Sequence, residues 1–187
     1  MEIKTIGIAG AGTMGAGIAQ VTATFGYKTI LFDVNENMLT KAKQGIEKSL
    51  TSLVDKQKIT AQNKVEILSR ITYINNLKEL IADLVIEAII ERLDIKQQFF
   101  NDVAAVNSAE TILATNTSSI PVTQIAAKVP NPKRFLGIHF FNPAPIMKLV
   151  EIISGVETDM AIANQCKQLI EGMAKTCVMA ADAPGFI

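Results

Sequence analysis

Ile6-Gly7-Ile8-Ala9-Gly10-Ala11-Gly12-Thr13-Met14-Gly15, with Asp33 downstream, is the stretch on which the fold of this chain turns. The apolar run Ile3, Ile6, Ile8 and Ala9 ends in a glycine cluster, as a buried strand entering a tight turn does. From Ala16 to Phe25, the residues Ile18, Ala19, Val21, Thr22 and Phe25 recur at helical spacing, and Gly26 supplies a stop. Tyr27 to Asp33 is β-rich, centred on Thr29, Ile30, Leu31 and Phe32. Strand, glycine turn, helix and strand in this order predict a βαβ unit with parallel strands and a right-handed crossover.

Working outward, Met38, Leu39, Ala42, Ile46, Leu50 and Leu53 mark one face of a helix, and Val65, Ile67 and Leu68 mark a shorter one after Thr60, a candidate N-cap. Residues 37–70 therefore read as an inserted αα-hairpin. The pattern then predicts strands at Ile71 to Ile74, Leu84 to Ile90, Thr111 to Thr115, Phe135 to Phe140, Leu149 to Ile153 and Thr176 to Ala180. Helices are predicted at Asp94 to Val106, Pro121 to Lys128 and Asp159 to Lys175. Strands alternating with helices argue for an α/β, Rossmann-type doubly wound, mostly parallel sheet with helices on both faces.

The 187 residues hold 18 Lys+Arg against 18 Asp+Glu. That balance argues against a nucleic-acid surface, which needs a basic excess to displace counterions. The neutral total is uneven. Between Lys41 and Arg70 there are seven basic residues (Lys41, Lys43, Lys48, Lys56, Lys58, Lys64, Arg70) and three acidic ones (Glu47, Asp55, Glu66), so the hairpin carries +4 and the remainder −4. No apolar stretch approaches a membrane span, and the start, Met1-Glu2-Ile3-Lys4, runs into a strand without a leader-like segment, so a cytoplasmic location without membrane partners is expected. Cys166 and Cys177 have no metal-binding neighbours in sequence, and no metal site is expected; buried bystander thiols are the simplest reading.

Gly10-Ala11-Gly12-Thr13-Met14-Gly15 is a GxGxxG. Gly10 allows the turn, Gly12 lets backbone approach a pyrophosphate, and Gly15 lets helix and strand pack closely. The motif follows a strand, opens a helix and precedes Asp33 at the end of the second strand, where a carboxylate would hold a ribose 2′-hydroxyl and repel a 2′-phosphate. Dinucleotide binding, with NAD preferred to NADP, follows. Glycines that merely pack a non-binding βαβ unit are the alternative.

The lone imidazole, His139, ends a predicted strand on the edge where open α/β sheets place their sites. An imidazole suits a general base for an alcohol. Twelve residues on, Glu151 interrupts Leu149-Val150-Glu151-Ile152-Ile153, where a buried carboxylate needs a partner. If the two strands are neighbours, Glu151 orients His139; a structural histidine and an edge-strand Glu are the other reading. Asn116-Thr117-Ser118-Ser119 either caps the helix at Pro121 or donates to a substrate oxygen. Glu91 and Lys96 are edge residues of the same kind, with solvated helix-start charges as the alternative.

Together these motifs resemble the NAD-binding domain of the 3-hydroxyacyl-CoA dehydrogenases, most of all the bacterial short-chain 3-hydroxybutyryl-CoA group. The resemblance runs from Ile6 to Ile187. It takes in the glycine motif, Val85-Ile86-Glu87-Ala88, Thr115-Asn116-Thr117-Ser118-Ser119, His139-Phe140-Phe141-Asn142-Pro143-Ala144-Pro145, Met147-Lys148-Leu149-Val150-Glu151 and Ala183-Pro184-Gly185-Phe186-Ile187. It implies that His139 is the catalytic base and Glu151 its partner, with Ser118 and Asn142 at the substrate and nicotinamide. It also implies that Asp33 holds the adenosine ribose, with further cofactor contacts from Thr13, Met14, Ala88, Glu91, Lys96 and Asn116. Ser49 and Lys56 match residues that contact coenzyme A, which would give the cationic hairpin an acyl-CoA to bind.

The implied activity is NAD-dependent oxidation of a (3S)-3-hydroxyacyl-CoA, or the reverse reduction. Family members continue past Pro184-Gly185-Phe186-Ile187 into a helical domain that forms a homodimer and supplies another catalytic Asn. The chain is thus expected to be the cofactor domain alone, with little activity by itself. Two other readings stand beside this one: an NAD- or CoA-binding module without turnover, and a sugar-acid dehydrogenase of the gulonate type.

Overall fold

The computed structural model describes residues 2–183; the Pro184-Gly185-Phe186-Ile187 part of the last motif lies outside the described residues. Among the described residues the chain runs β1 (Thr5–Ala9), α1 (Thr13–Thr24), β2 (Lys28–Phe32), α2 (Glu36–Asp55), α3 (Ala61–Ser69), β3 (Ile71–Ile74), β4 (Leu84–Glu87), α4 (Leu93–Val106), β5 (Ile112–Thr115), α5 (Val122–Ala126), β6 (Phe135–Phe140), β7 (Leu149–Ser154), α6 (Met160–Glu171) and β8 (Thr176–Ala180). The strands form one sheet in the order β3-β2-β1-β4-β5-β6-β7-β8. The first six are parallel, β7 runs antiparallel to β6, and β8 runs parallel to β7. Winding leaves β1 in both directions, so the C-terminal ends of β1 and β4 flank a topological switch point.

Both faces of the sheet are covered, which is why its central strands read as unbroken apolar runs. Ile6, Ile8, Leu84, Ile86, Ile112 and Ile138 point to the side filled by α1, α2 and α6. Ala9, Phe32, Val85, Leu113 and Phe135 point to the other, where α4 and α5 supply Phe100, Val103, Val122 and Ile125. The hairpin is no free arm: Leu39, Ala42, Ile46 and Leu50 of α2 are buried in the first core. Burying one such aliphatic side chain contributes about 1.5–3 kcal/mol, enough to seat the helix despite its charged outer face.

Beyond shifts of a residue or two, two element ends and one helix cap differ from the sequence reading. β4 ends at Glu87 rather than Ile90, because the chain there leaves the sheet to form the edge of a cleft. α6 ends at Glu171 and Gly172 caps it, short of Lys175. Finally, the hydroxyls of residues 117–119 do not cap α5. Its first N–H groups, on Val122 and Thr123, donate to the carboxylate of Asp182 at 2.7 and 2.8 Å, so the cap comes from some sixty residues away in sequence. Thr60, by contrast, caps α3 as its position predicts, in a reciprocal pair with Asn63.

Candidate functional site

The turn between β1 and α1 is built so that only glycine fits at its ends. Gly10 has φ +96°, and a Cβ there would stand 2.5 Å from the Ala88 carbonyl oxygen. A Cβ on Gly15 would stand 1.7 Å from the Gly10 carbonyl oxygen. Gly12 is different, for no protein atom lies within 4 Å of where its Cβ would be. Gly12 is also the N-cap of α1 and offers no side-chain cap, whereas Asn35, Thr60 and Asp159 cap α2, α3 and α6. The turn thus presents amides at a helix N-terminus beside an open cradle, the arrangement that suits a pyrophosphate. Asp33 braces it: Oδ2 accepts from the Ala11 N–H at 2.8 Å and Oδ1 from the Asn35 N–H at 2.9 Å. A cavity of about 740 Å³ opens beside these residues, lined by Gly10, Gly12, Asp33, Ala88 and the α4 residues Ile95 and Phe99 among others. Its mostly apolar walls, with the braced Asp33 at the glycine turn and Asp94 and Asp102 on the α4 side, have the character of a pocket for an adenosine.

A second cavity, about 340 Å³, holds most of the other residues singled out by sequence. Met14, Ala88, Glu91, Lys96, Asn116, Ser118, His139 and Asn142 all line it. His139 and Glu151 come together because β6 and β7 pair with these two residues opposite each other. His139 Nδ1 lies 2.6 Å from Glu151 Oε2, and Glu151 is buried. The Phe141 ring sits 4.6 Å from the imidazole, centre to centre. Asn116 accepts from the Phe140 N–H at 2.8 Å through Oδ1, tying the end of β5 to the end of β6.

Lys96 is buried, so it is not a solvated helix-start charge. Its ammonium is 2.5 Å from Glu87 Oε1 and 3.0 Å from Glu91 Oε2. Glu87 also accepts from the Ile89 N–H and from the Thr115 hydroxyl, each at 2.8 Å. Burial pushes the Glu87 carboxyl above its ordinary value, with Lys96 and Thr115 pulling against it. Glu91 accepts from the hydroxyls of Thr117 and Ser119. Burial tends to raise its carboxyl too, but Thr117, Lys96 and Ser119 outweigh this and hold it below the usual carboxylate range. The cluster anchors the loop carrying Ser118 to β4 and α4. In the sequence Glu87 is quoted only within a motif and given no role, although a carboxylate closing the buried run Leu84-Val85-Ile86 is the same signal that drew attention to Glu151.

Ser49 and Lys56 lie apart from this cavity, on the last turns of α2 and at its C-cap. Ser49 continues, at i+4, the face on which Lys41 and Gly45 line a third cavity of about 410 Å³ together with Gly12, Thr13 and Pro145. Of the hairpin's cations, Lys64 is held by Glu47 and Thr51, and Arg70 by Glu66 and the Ala23 carbonyl. Lys56 and Lys58 are exposed. Burial pushes the thiols of Cys166 and Cys177 up to about 12 and about 11, and neither adjoins the site. No helix among the described residues is long and apolar enough to cross a membrane.

Residues 5–183 match the family model described as 3-hydroxyacyl-CoA dehydrogenase, NAD binding domain. The chain is 44% identical, over its whole length, to 3-hydroxyadipyl-CoA dehydrogenase of Escherichia coli K12, of which it spans 40%. It is 42% identical to a probable 3-hydroxybutyryl-CoA dehydrogenase of Bacillus subtilis, of which it spans 66%. Among solved structures, a 3-hydroxybutyryl-CoA dehydrogenase from Escherichia coli K12 superposes on the entire chain with a TM-score of 0.98 at 44% identity, the chain covering 40% of it. The (S)-3-hydroxybutyryl-CoA dehydrogenase of Ralstonia eutropha does so with a TM-score of 0.97 at 36% identity, 66% of that chain being covered.

Proposed function

From the premise that the chain belongs to the 3-hydroxyacyl-CoA dehydrogenase family through its NAD-binding domain, we propose that the protein oxidises the 3-hydroxyl of a (3S)-3-hydroxyacyl-CoA, such as 3-hydroxybutyryl-CoA, to the 3-oxoacyl-CoA, and runs the reverse reduction. The observation that carries the reading is the His139–Glu151 contact at 2.6 Å, with His139 lining a cavity that adjoins the glycine turn through Met14 and Ala88.

The residues divide the work as follows. Gly10, Gly12, Thr13, Met14 and Gly15 hold the pyrophosphate of NAD, and Asp33 its adenosine ribose; Ala88, Glu91, Lys96 and Asn116 line the nicotinamide end. When bound, NAD supplies the acceptor for the hydride leaving C3. Ser118 and Asn142 hold the substrate oxygen. His139 takes the hydroxyl proton on Nε2, and Glu151, on the Nδ1 side, stabilises the imidazolium that forms. In reduction His139 returns that proton. Ser49 and Lys56 take the anionic coenzyme A end, where the hairpin's surplus positive charge lies.

Absorbance at 340 nm tests the reading. NADH should form with 3-hydroxybutyryl-CoA and NAD, while free 3-hydroxybutyrate, gulonate, or NADP in place of NAD should give little. Equal rates with the free acid would remove coenzyme A from the proposal.

A further inference from the structure

The loop between β6 and β7 carries Asn142 and Phe141 into the His139 cavity, yet most of its residues are exposed. Its middle is a single helix-like turn. The N–H groups of Ile146 and Met147 both donate to the Pro143 carbonyl at 2.9 Å. Such a turn leaves carbonyls unsatisfied at its C-terminal end. Here they are met from another part of the fold, since the ammonium of Lys175 donates to the Ala144 carbonyl at 2.6 Å and to the Met147 carbonyl at 2.8 Å.

Lys175 is delivered by a turn shaped for the purpose. α6 ends at Glu171, Met173 is driven fully into the core, and Ala174 adopts φ +56°, a left-handed conformation that residues with a Cβ rarely take. The reversal aims Lys175 across the start of β8 at the loop, and the next N–H, on Thr176, donates to the Lys148 carbonyl at 2.8 Å. On its other side the loop rests on α1: Ala144 is buried, and a Cβ on Gly17 would lie 3.2 Å from both the Ala144 Cβ and the Pro145 Cδ. Burial also holds the Lys175 ammonium below the ordinary lysine pKa, as its desolvated setting requires. Hydrogen bonds from a charged donor to carbonyls are the strong kind.

We propose that Lys175 is a positioning residue of the active site: its ammonium clamps the 143–147 turn and thereby holds Asn142 and Phe141 in place around His139. The proposal rests on the functional reading of that cavity, and its test separates the two. The whole protein is compared with its Lys175→Met and Lys175→Arg variants by hydrogen exchange of residues 141–149, by NADH binding and by turnover of 3-hydroxybutyryl-CoA. In Lys175→Met, exchange of the Ile146 and Met147 amides should rise roughly tenfold or more. The kcat should fall roughly tenfold, while the NADH Kd, set by the glycine turn, changes by less than about twofold. Lys175→Arg, which keeps a charged donor for both carbonyls, should restore both exchange and kcat.

Exchange in 141–149 unchanged by Lys175→Met overturns the clamp. So does faster exchange spread equally through β7 and β8, which marks a merely structural lysine. A loosened loop with unaltered kcat overturns the positioning role. If the unsubstituted protein fails to turn over the hydroxyacyl-CoA while Lys175→Met still loosens the loop alone, the substrate reading falls and the clamp stands. Should Lys175→Met fold poorly, Lys175→Gln, which keeps an uncharged amide donor on a shorter side chain, is expected to loosen the turn partway.

Discussion

His139 and Glu151 stand opposite each other in the antiparallel β6–β7 ladder, Nδ1 2.6 Å from Oε2, with the carboxylate almost wholly shielded from solvent. Their contact follows from strand register alone; a slip of one residue would turn one of them to the other face of the sheet. His139→Gln should therefore cut turnover by roughly a hundredfold to ten-thousandfold, the usual worth of a general base, while the NAD Kd from calorimetry stays within about twofold. Glu151→Gln keeps a hydrogen-bonding group but removes the charge, and its turnover should lie between the two. A His139→Gln protein with most of its activity would refute the assignment.

Gly12 and Gly15 should separate binding from folding. With no neighbour within 4 Å, Gly12→Ala should leave the Tm nearly unchanged and weaken NAD binding, because its methyl fills the cradle. Gly15→Ala places a Cβ 1.7 Å from the Gly10 carbonyl oxygen, so the turn must open. Overpacking of that kind costs about 1–3 kcal/mol or more. Thermal melts and NAD titrations of the two variants check both halves, and tight NAD binding by Gly12→Ala would count against a pyrophosphate there.

Glu91 links the Ser118 loop to Lys96, and its carboxyl is held below the ordinary value by Thr117, Lys96 and Ser119 against the opposing pull of burial. A folded-state pKa below the unfolded one contributes stability above the unfolded value of 4.5, and that stability is lost as pH falls through the folded value. The stability gap between the parent protein and Glu91→Gln should be widest near neutrality and close as the pH falls below 4.5 and through the lowered folded-state value. Urea unfolding at several pH values measures it. A gap that widens on acidification would reverse the sign.

Lys56 is exposed at the C-cap of α2, far from the chemistry. Lys56→Ala should raise the KM for 3-hydroxybutyryl-CoA by a few-fold, the worth of a screened surface contact to an anion, with kcat little changed. The effect should shrink at high salt and vanish with a pantetheine thioester lacking the nucleotide. An equal effect on the truncated thioester would place the role of Lys56 elsewhere.

Much of this was readable along the chain. The βαβ opening, the two helices after β2, the Thr60 cap and the alternation of strands with helices all rest on local periodicity and on turn chemistry, which neighbouring residues decide among themselves. The misreadings fall where tertiary partners take over: the carboxylate of Glu87, where β4 ends, is taken up by Lys96, and α5 is capped by Asp182 from beyond β8. For Lys96 a solvated charge stayed open beside an edge role, because nothing within a few residues announces its two carboxylates.

By itself the sequence determined the fold class, the glycine turn with its acidic partner, and which polar side chains end strands on the cavity's edge, since residue type and short-range spacing govern all three. It even named His139 and Glu151 as a pair, on the condition that their strands be neighbours. Only the tertiary structure met that condition, by setting β7 antiparallel to β6 in the one register that opposes them. The tertiary fold alone also buried Lys96 between two carboxylates, brought Asp182 to α5 and aimed Lys175 at the loop of Asn142. Those contacts join residues distant in sequence, and side-chain packing between elements decides them.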